Sequence, residues 1–327
     1  MKKALTLLCL GLVVSVGAIV PVMAANDKLK IVIPRNSVFV LAYYGARDGG
    51  VFRKHGFDLE IENRPFKAFT ASLPAKECMV TTYSGTAAIA KINAGLDWVI
   101  IGGGLTVMQE VIVRKSSPFK SITDMRGKKF ASWSTGAGAF KATRAAIIDG
   151  YGMDVMKDTA FVQAAAPALF KLLERGNVDS MFNISSLTVA ASAQPDKYRS
   201  IFSPNDYWKK KTGHPIVWSA PIVAWRSWVE EDRDRAKRWV KATHEAFEWL
   251  RNPVNLDASV KSYGPLAAVK NQAQANVYKK WMGQKRIWLA KWNREVVDAQ
   301  WDFLQMAKKH GVLKKVPDKN KTGLILE

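Results

Sequence analysis

Twice in this chain of 327 residues a short apolar strand runs into a small, hydroxyl-rich, glycine-bearing turn that opens a helix. The first spans Met79 to Thr86 and turns at Ser84, Gly85 and Thr86; the second spans Lys129 to Gly138 and turns through Trp133, Ser134, Thr135 and Gly136. A helix start has N–H groups with no intrahelical partner, and the positive end of the helix dipole lies at the same point. Such a turn holds an anion without any chemistry. One turn in each half of the chain predicts two α/β halves facing a common crevice.

The rest of the chain repeats this alternation. Lys28 to Ile33 reads as a strand, Phe39 to Arg47 as a helix, and Asp58 to Ile61 as a second strand entered through a glycine turn, which together make a parallel crossover unit. Thr86 to Asn93 is a helix closed by Gly95, and Trp98 to Gly102 a buried strand. Further on, Lys129 to Trp133, Thr159 to Val162 and Val178 to Asn183 read as strands. Helices over Ala139 to Tyr151 and Pro167 to Arg175 separate them, stopped by Gly152 and Gly176. Alternation of this kind belongs to α/β folds with parallel-rich sheets. Past Ala224 the pattern changes to charged amphipathic helices, predicted over Arg233 to Arg251, Gln272 to Trp292 and Arg294 to Lys309. The tryptophans of this region, Trp281, Trp288, Trp292 and Trp301, are read as core anchors rather than a stacking platform, because they recur at helical spacing.

The N-terminus sets the compartment. Met1, Lys2 and Lys3 precede an uncharged apolar run from Ala4 to Val20 and a small-residue stretch ending in Ala24 and Ala25. This is the layout of a secretory signal peptide cut after Ala24 or Ala25, which predicts a periplasmic location. Cleavage leaves Cys78 as the one cysteine, so no internal disulfide is available, and Cys78 is read as a small buried residue. The chain carries 49 Lys and Arg against 28 Asp and Glu, a formal charge of +21, of which Lys2 and Lys3 leave with the signal peptide. The basic residues are dispersed and form no nucleic-acid motif, so no nucleic-acid partner is expected. A general positive field that draws in small anions fits better.

Three segments carry a family resemblance. Ala42 to Leu59 resembles the first crossover of the periplasmic binding proteins for nitrate, sulfonates and taurine, which group with the NMT1/THI5-like proteins. Ser117 to Lys129 resembles that family's entrance to its second lobe, and Leu172 to Phe182 its valine-aspartate strand. The match runs in order from about residue 28 to 250. The resemblance implies a type II periplasmic binding protein fold, two α/β lobes with parallel-rich sheets joined by two crossover segments. The crossings are expected near Val111 to Lys115 and near Pro221 to Trp225, with lobe one built from 25–113 and 222–327 and lobe two from 114–221. It also implies delivery of a captured solute to an inner-membrane ABC permease, and a monomer is expected. Where many relatives have an aromatic residue, an acid and a proline after the valine-aspartate strand, this chain has Asn183, Ile184, Ser185 and Ser186, which predicts a polar pocket floor.

Ligands of open α/β sheets bind at the carboxyl ends of strands. Lobe one then offers Asn36, Ser37 and Phe39 together with Ser84, Gly85 and Thr86. Lobe two offers Trp133, Ser134, Thr135 and Gly136 together with Asn183. Arg35 is the candidate counter-charge, and Phe39, Tyr43 and Trp133 the candidates to line an organic tail. The bland reading is that Ser84 and Ser134 cap their helices and that Asn183 ties a loop. The ligand expected is a small organic anion, a sulfonate or carboxylate, aromatic or aliphatic. No metal, cofactor or catalytic residue is expected: the four histidines show no ligand spacing, and the glycine runs at Gly102 to Gly104 and at Gly136 and Gly138 lack a dinucleotide fingerprint. A thiamine-pyrimidine-related binder or enzyme of the same fold, or a ligand-sensing module, stays open on sequence alone.

Overall fold

The computed structural model describes residues 26–289 and 291–326. The apolar N-terminal run and both cleavage points lie outside the described residues. No helix among the described residues is long and apolar enough to cross a membrane.

The chain begins with β1 (Asp27–Pro34), α1 (Val38–Asp48), the single turn α2 (Val51–Lys54) and β2 (Phe57–Arg64). Strands β1 and β2 pair in parallel, with Asp27 opposite Phe57 and Pro34 opposite Arg64. Gly50, with φ of +78°, supplies the left-handed turn that lets the chain reverse between α1 and α2. Then follow α3 (Phe66–Ser72), β3 (Val80–Thr82), α4 (Gly85–Asn93) and β4 (Trp98–Leu105). The second run comprises β5 (Val111–Arg114), β6 (Lys129–Ser132), α5 (Gly138–Tyr151), β7 (Ala160–Gln163), α6 (Ala166–Glu174), β8 (Ser180–Phe182), α7 (Ser185–Ser192), β9 (Tyr198–Phe202) and α8 (Pro204–Thr212). The chain returns through β10 (Ala220–Trp225) and continues as α9 (Arg226–Glu231), α10 (Arg233–Arg251), α11 (Pro253–Ala267), α12 (Gln272–Gly283), α13 (Arg294–Lys309) and α14 (Lys319–Thr322).

Two layers result, and they share one topology. In the first, β10 lies between β3 and β4, antiparallel to both, and the Thr81 hydroxyl donates to the Val32 carbonyl at 2.7 Å, tying β3 to β1. The two-stranded sheet β2, β1 thus lies beside the three-stranded sheet β3, β10, β4 in one layer. In the second layer the order is β7, β6, β8, β5, β9, with β5 antiparallel to β8 and β9. Each layer thus holds one strand antiparallel to its two neighbours at the same place, β10 in the first and β5 in the second. Val111 to Lys115 and Pro221 to Trp225, expected as the crossings, are occupied mainly by the inserted strands β5 and β10, and the chain passes between layers just before each of them.

The C-terminal helices lock this arrangement. Helix α10, whose start is capped by Asp232 accepting from the Arg235 amide at 2.8 Å, buries Trp239 and Phe247 against α1. Trp239 stacks on Tyr43 and Phe52 with ring centroids 6.2 and 5.7 Å away. Full burial of side chains this large contributes about 1.5–3 kcal/mol each. Gln300 on α13, fully buried, accepts from the Val217 amide at 3.1 Å and donates to the Pro215 carbonyl at 2.9 Å, holding the returning chain just before β10. The helix expected through Trp292 stops at Gly283. Lys285 takes a left-handed φ of 50°, and Trp288 pairs instead with Leu105 as an isolated bridge. Trp281, Trp288, Trp292 and Trp301 are all buried, as core anchors are. Cys78 is buried too, and burial pushes its thiol pKa up.

Candidate functional site

The shared topology places four helix starts around one space. In the first layer α1 follows β1 and α4 follows β3; in the second, α5 follows β6 and α7 follows β8. A cavity of about 260 Å³ lies where these turns converge, lined at α1 by Ser37 and Phe39, at α4 by Ser84, at α5 by Ala137, Gly138 and Ala139, and at α7 by Ile184 and Ser185. At about 30 Å³ per water in the liquid, this is room for about nine waters, the size of one small organic molecule. The backbone N–H groups of Phe39, Ala139 and Ser185, all first-turn donors, take no partner among the described residues. Donors and dipoles from both layers therefore favour negative charge at the same point.

Arg35 stands at the rim. It is exposed, its Nε donates to Asn63 Oδ1 at 3.0 Å, and Asn63 in turn donates to the Tyr44 hydroxyl at 2.9 Å, so the guanidinium is held in place. Among the described residues it has no acidic partner, and it is the one charged side chain in the wall. Asn36 beside it takes a left-handed φ of 56°, a conformation asparagine tolerates, and its amide donates to Leu266 at 3.0 Å. The Ser37 hydroxyl does not cap α1; it donates to the Pro34 carbonyl at 2.7 Å.

The remainder of the wall is apolar. Phe66 and Phe69 of α3 and Trp133, which follows β6, line it, and the Phe66 and Trp133 rings meet edge to face with centroids 5.3 Å apart. Leu105 comes from the end of β4, Gln109 from the link between β4 and β5, and Ser219 and Ala220 from the returning chain.

Of the residues expected from sequence, Arg35, Asn36, Ser37, Phe39, Ser84 and Trp133 line the cavity, and the rest are placed elsewhere. Gly85 is spent on packing: its amide donates to the Trp218 carbonyl at 3.3 Å, and a Cβ there would stand 2.7 Å from the Trp218 ring. Thr86 is buried behind it, its hydroxyl unpartnered among the described residues. Ser134, Thr135 and Gly136 belong to a loop that passes outside the wall; Gly136 is exposed, and the chain reaches the cavity only at Ala137 to Ala139. The turn after β6 is five residues long, so the helix start lies further along than the glycine-serine pattern suggests. Asn183 is buried and ties its own loop, donating to the Ala166 carbonyl at 2.9 Å and accepting from the Ile184 amide at 2.9 Å. Tyr43 belongs to the core beneath Trp239 and does not line the cavity. Ser84 makes no capping bond to its own helix.

Sequence reasoning missed Phe66 and Phe69, whose spacing of three marks one face of a short helix. It also missed Gln109, for which no local signal exists. Among the described residues no group of three or more His, Cys, Asp or Glu is arranged to hold a metal.

A family model described as NMT1/THI5 like matches residues 38–255. No curated protein matches the sequence. Among solved structures, the chain is similar to the periplasmic aliphatic sulphonate binding protein SsuA from Escherichia coli, at 17% identity and a TM-score of 0.71, covering 92% of this chain and 92% of that one. It is similar to the alkanesulfonate-binding protein SsuA from Xanthomonas axonopodis pv. citri bound to MOPS, at 12% identity and a TM-score of 0.68, covering 90% of this chain and 96% of that one. The desulfurization enzyme DSZB shares the fold at 12% identity and a TM-score of 0.62, covering 92% of this chain and 97% of that one. These likenesses give the fold, that of the periplasmic binding proteins.

Proposed function

This chain belongs to the NMT1/THI5-like family, and from that premise we propose that it is an extracytoplasmic solute receptor that closes two lobes on a small organic anion, a sulfonate or carboxylate, and delivers it to an inner-membrane ABC importer. In this reading lobe one comprises 25–113 and 222–327 and lobe two 114–221, the mature protein starts after Ala24 or Ala25 in the periplasm, and it works as a monomer. The observation that carries the reading is the convergence of four helix starts, two from each layer, on one cavity whose charged side chain is Arg35. Each hydrogen bond from such donors to an anion contributes about 1.5–3 kcal/mol. The aromatic wall suits an organic tail.

Capture fits the wall better than conversion. Among the described residues the cavity lining contains serines, an asparagine, a glutamine and an arginine, but no His, Cys, Asp, Glu or Lys to act as base or activated nucleophile. Ser37 and Ser84 are spent on the Pro34 carbonyl and the Gly138 amide.

The test is calorimetric titration of the mature protein with benzenesulfonate, ethanesulfonate, benzoate and nitrate, with thiamine as a cationic control. Saturable binding of at least one anion is expected. Binding confined to thiamine would overturn the anion assignment.

A further inference from the structure

One buried group in the cavity is left over once the anion site is accounted for. Gln109 lies in the link between β4 and β5 and is 6% exposed, and its Oε1 is out of water with no hydrogen-bond partner among the described residues. Burying an amide oxygen unpaired is costly. If the amide is turned over, the same position holds an unpaired N–H; in either orientation the buried atom is out of reach, and the other terminal atom of the amide is the one left to meet a molecule in the cavity that Gln109 borders.

The side chain cannot easily escape to solvent, because the link is fastened on both sides of it. The Thr106 hydroxyl donates to the Ile287 carbonyl at 3.0 Å, and Glu110 pairs with the Arg286 guanidinium. Around the amide the wall is aromatic: Phe39, Phe66, Phe69 and Trp133 all border the same space. Trp133 Nε1, a donor, is also buried without a partner among the described residues. A simple alkyl tail would leave the Gln109 amide without a partner. A flat ring carrying its own hydroxyl or amino substituent fills the aromatic wall and pairs with the amide.

Resting on the receptor reading above, we propose that the anion taken by this cavity is an aromatic carboxylate or sulfonate with a ring-borne hydroxyl or amino group, and that Gln109 reads that group. Gln109 is then the specificity-determining residue, and helix starts with Arg35 hold the charged end.

Calorimetry with matched pairs tests this: benzoate against 3- and 4-hydroxybenzoate, and benzenesulfonate against 4-hydroxybenzenesulfonate, on wild type and Gln109→Leu. Wild type is expected to bind a hydroxylated member at least tenfold more tightly than its parent, since a buried polar group penalises the analogue that leaves it unpaired. Gln109→Leu should bring that ratio to about one while leaving affinity for the unsubstituted parent within about threefold. Absence of the preference in wild type, its persistence in Gln109→Leu, or failure of all the aromatic anions to bind overturns the inference. The wild-type ratio decides even if the variant does not fold. Binding of ethanesulfonate or nitrate without the aromatics overturns this inference and leaves the receptor reading standing, whereas binding of thiamine alone overturns both.

Discussion

Ser84 Oγ, at the head of α4 on the first layer, accepts a hydrogen bond from the amide of Gly138, at the head of α5 on the second, at 3.1 Å. The two layers touch at this point beside the cavity, and Gly138 permits the approach: a Cβ there would stand 2.6 Å from the Trp218 carbonyl and 2.8 Å from Ser84 Oγ. Ser84→Ala should therefore weaken ligand binding about three- to tenfold by losing one buried hydrogen bond. Gly138→Ala should weaken it more and enlarge the radius of gyration measured by small-angle scattering, because the added methyl props the layers apart. Affinity and scattering both unchanged in Gly138→Ala would show that closure does not pass through this contact.

Phe66 is 42% exposed, yet its ring meets Trp133 from the opposite layer edge to face. Such a pair contributes about 0.5–1.5 kcal/mol beyond simple burial. Phe66→Ala is expected to cut affinity for the ligand about three- to tenfold and speed its release. Stability to urea should fall by no more than about 1.5 kcal/mol, the value of the lost ring pair. A lowered unfolding midpoint with unchanged release kinetics would assign the ring to the fold rather than to the cleft.

The strands and helices that bracket the cavity are legible in sequence because local patterns determine them. The predicted helix over Arg233 to Arg251 has the observed bounds, and its apolar stripe of Ala236, Trp239, Phe247 and Leu250 is the buried face. Helix α12 is different: its apolar pattern runs on to Trp288, but that residue's partner is Leu105, distant in sequence, so a bridge replaces the last turns. The same distinction governs the site. Arg35, Asn36, Ser37 and Phe39 could be placed in the wall because a strand end is a local signal, whereas Gln109 reaches the wall only through a cavity assembled from both layers. Ser134 to Gly136 have the composition of an anion turn, but the length of their loop carries them past the wall.

The run Gly102 to Gly104 has a packing cause. A Cβ on Gly104 would fall onto the Ala220 carbonyl of neighbouring β10, and one on Gly103 would stand 2.7 Å from the Leu289 carbonyl. Backbone cannot yield as a side-chain tip does. Gly104→Ala should lower stability by about 1–3 kcal/mol, the range for overpacking, read as a shift of the urea midpoint at constant slope. An unchanged midpoint would mean that β4 and β10 slide apart freely.

His244 supplies a pH dependence whose sign follows from its surroundings. The ring lies against Trp288, with centroids 6.2 Å apart, and its Nε2 is out of water without a partner among the described residues. Burial pushes its pKa down to about 4 from 6.5, against smaller opposing effects of a hydrogen bond with the Gly103 backbone and of Glu248. The unfolded chain takes up the proton near 6.5 and the folded chain only near 4, so between these values the unfolded state binds more protons. The stability due to neutral His244 is then complete above about pH 6.5 and lost as pH falls toward 4, to a total of about 3 kcal/mol. His244→Gln, which cannot titrate, should flatten this part of the profile: in urea unfolding the wild type should lose about 3 kcal/mol relative to the variant between pH 6.5 and 4. Carboxylates that also lose their partners in acid, such as Asp154 with Arg144, act equally in both proteins and cancel in the difference. Parallel profiles from pH 7 to 4 would mean that the folded protein admits the proton to His244 as readily as the unfolded chain does.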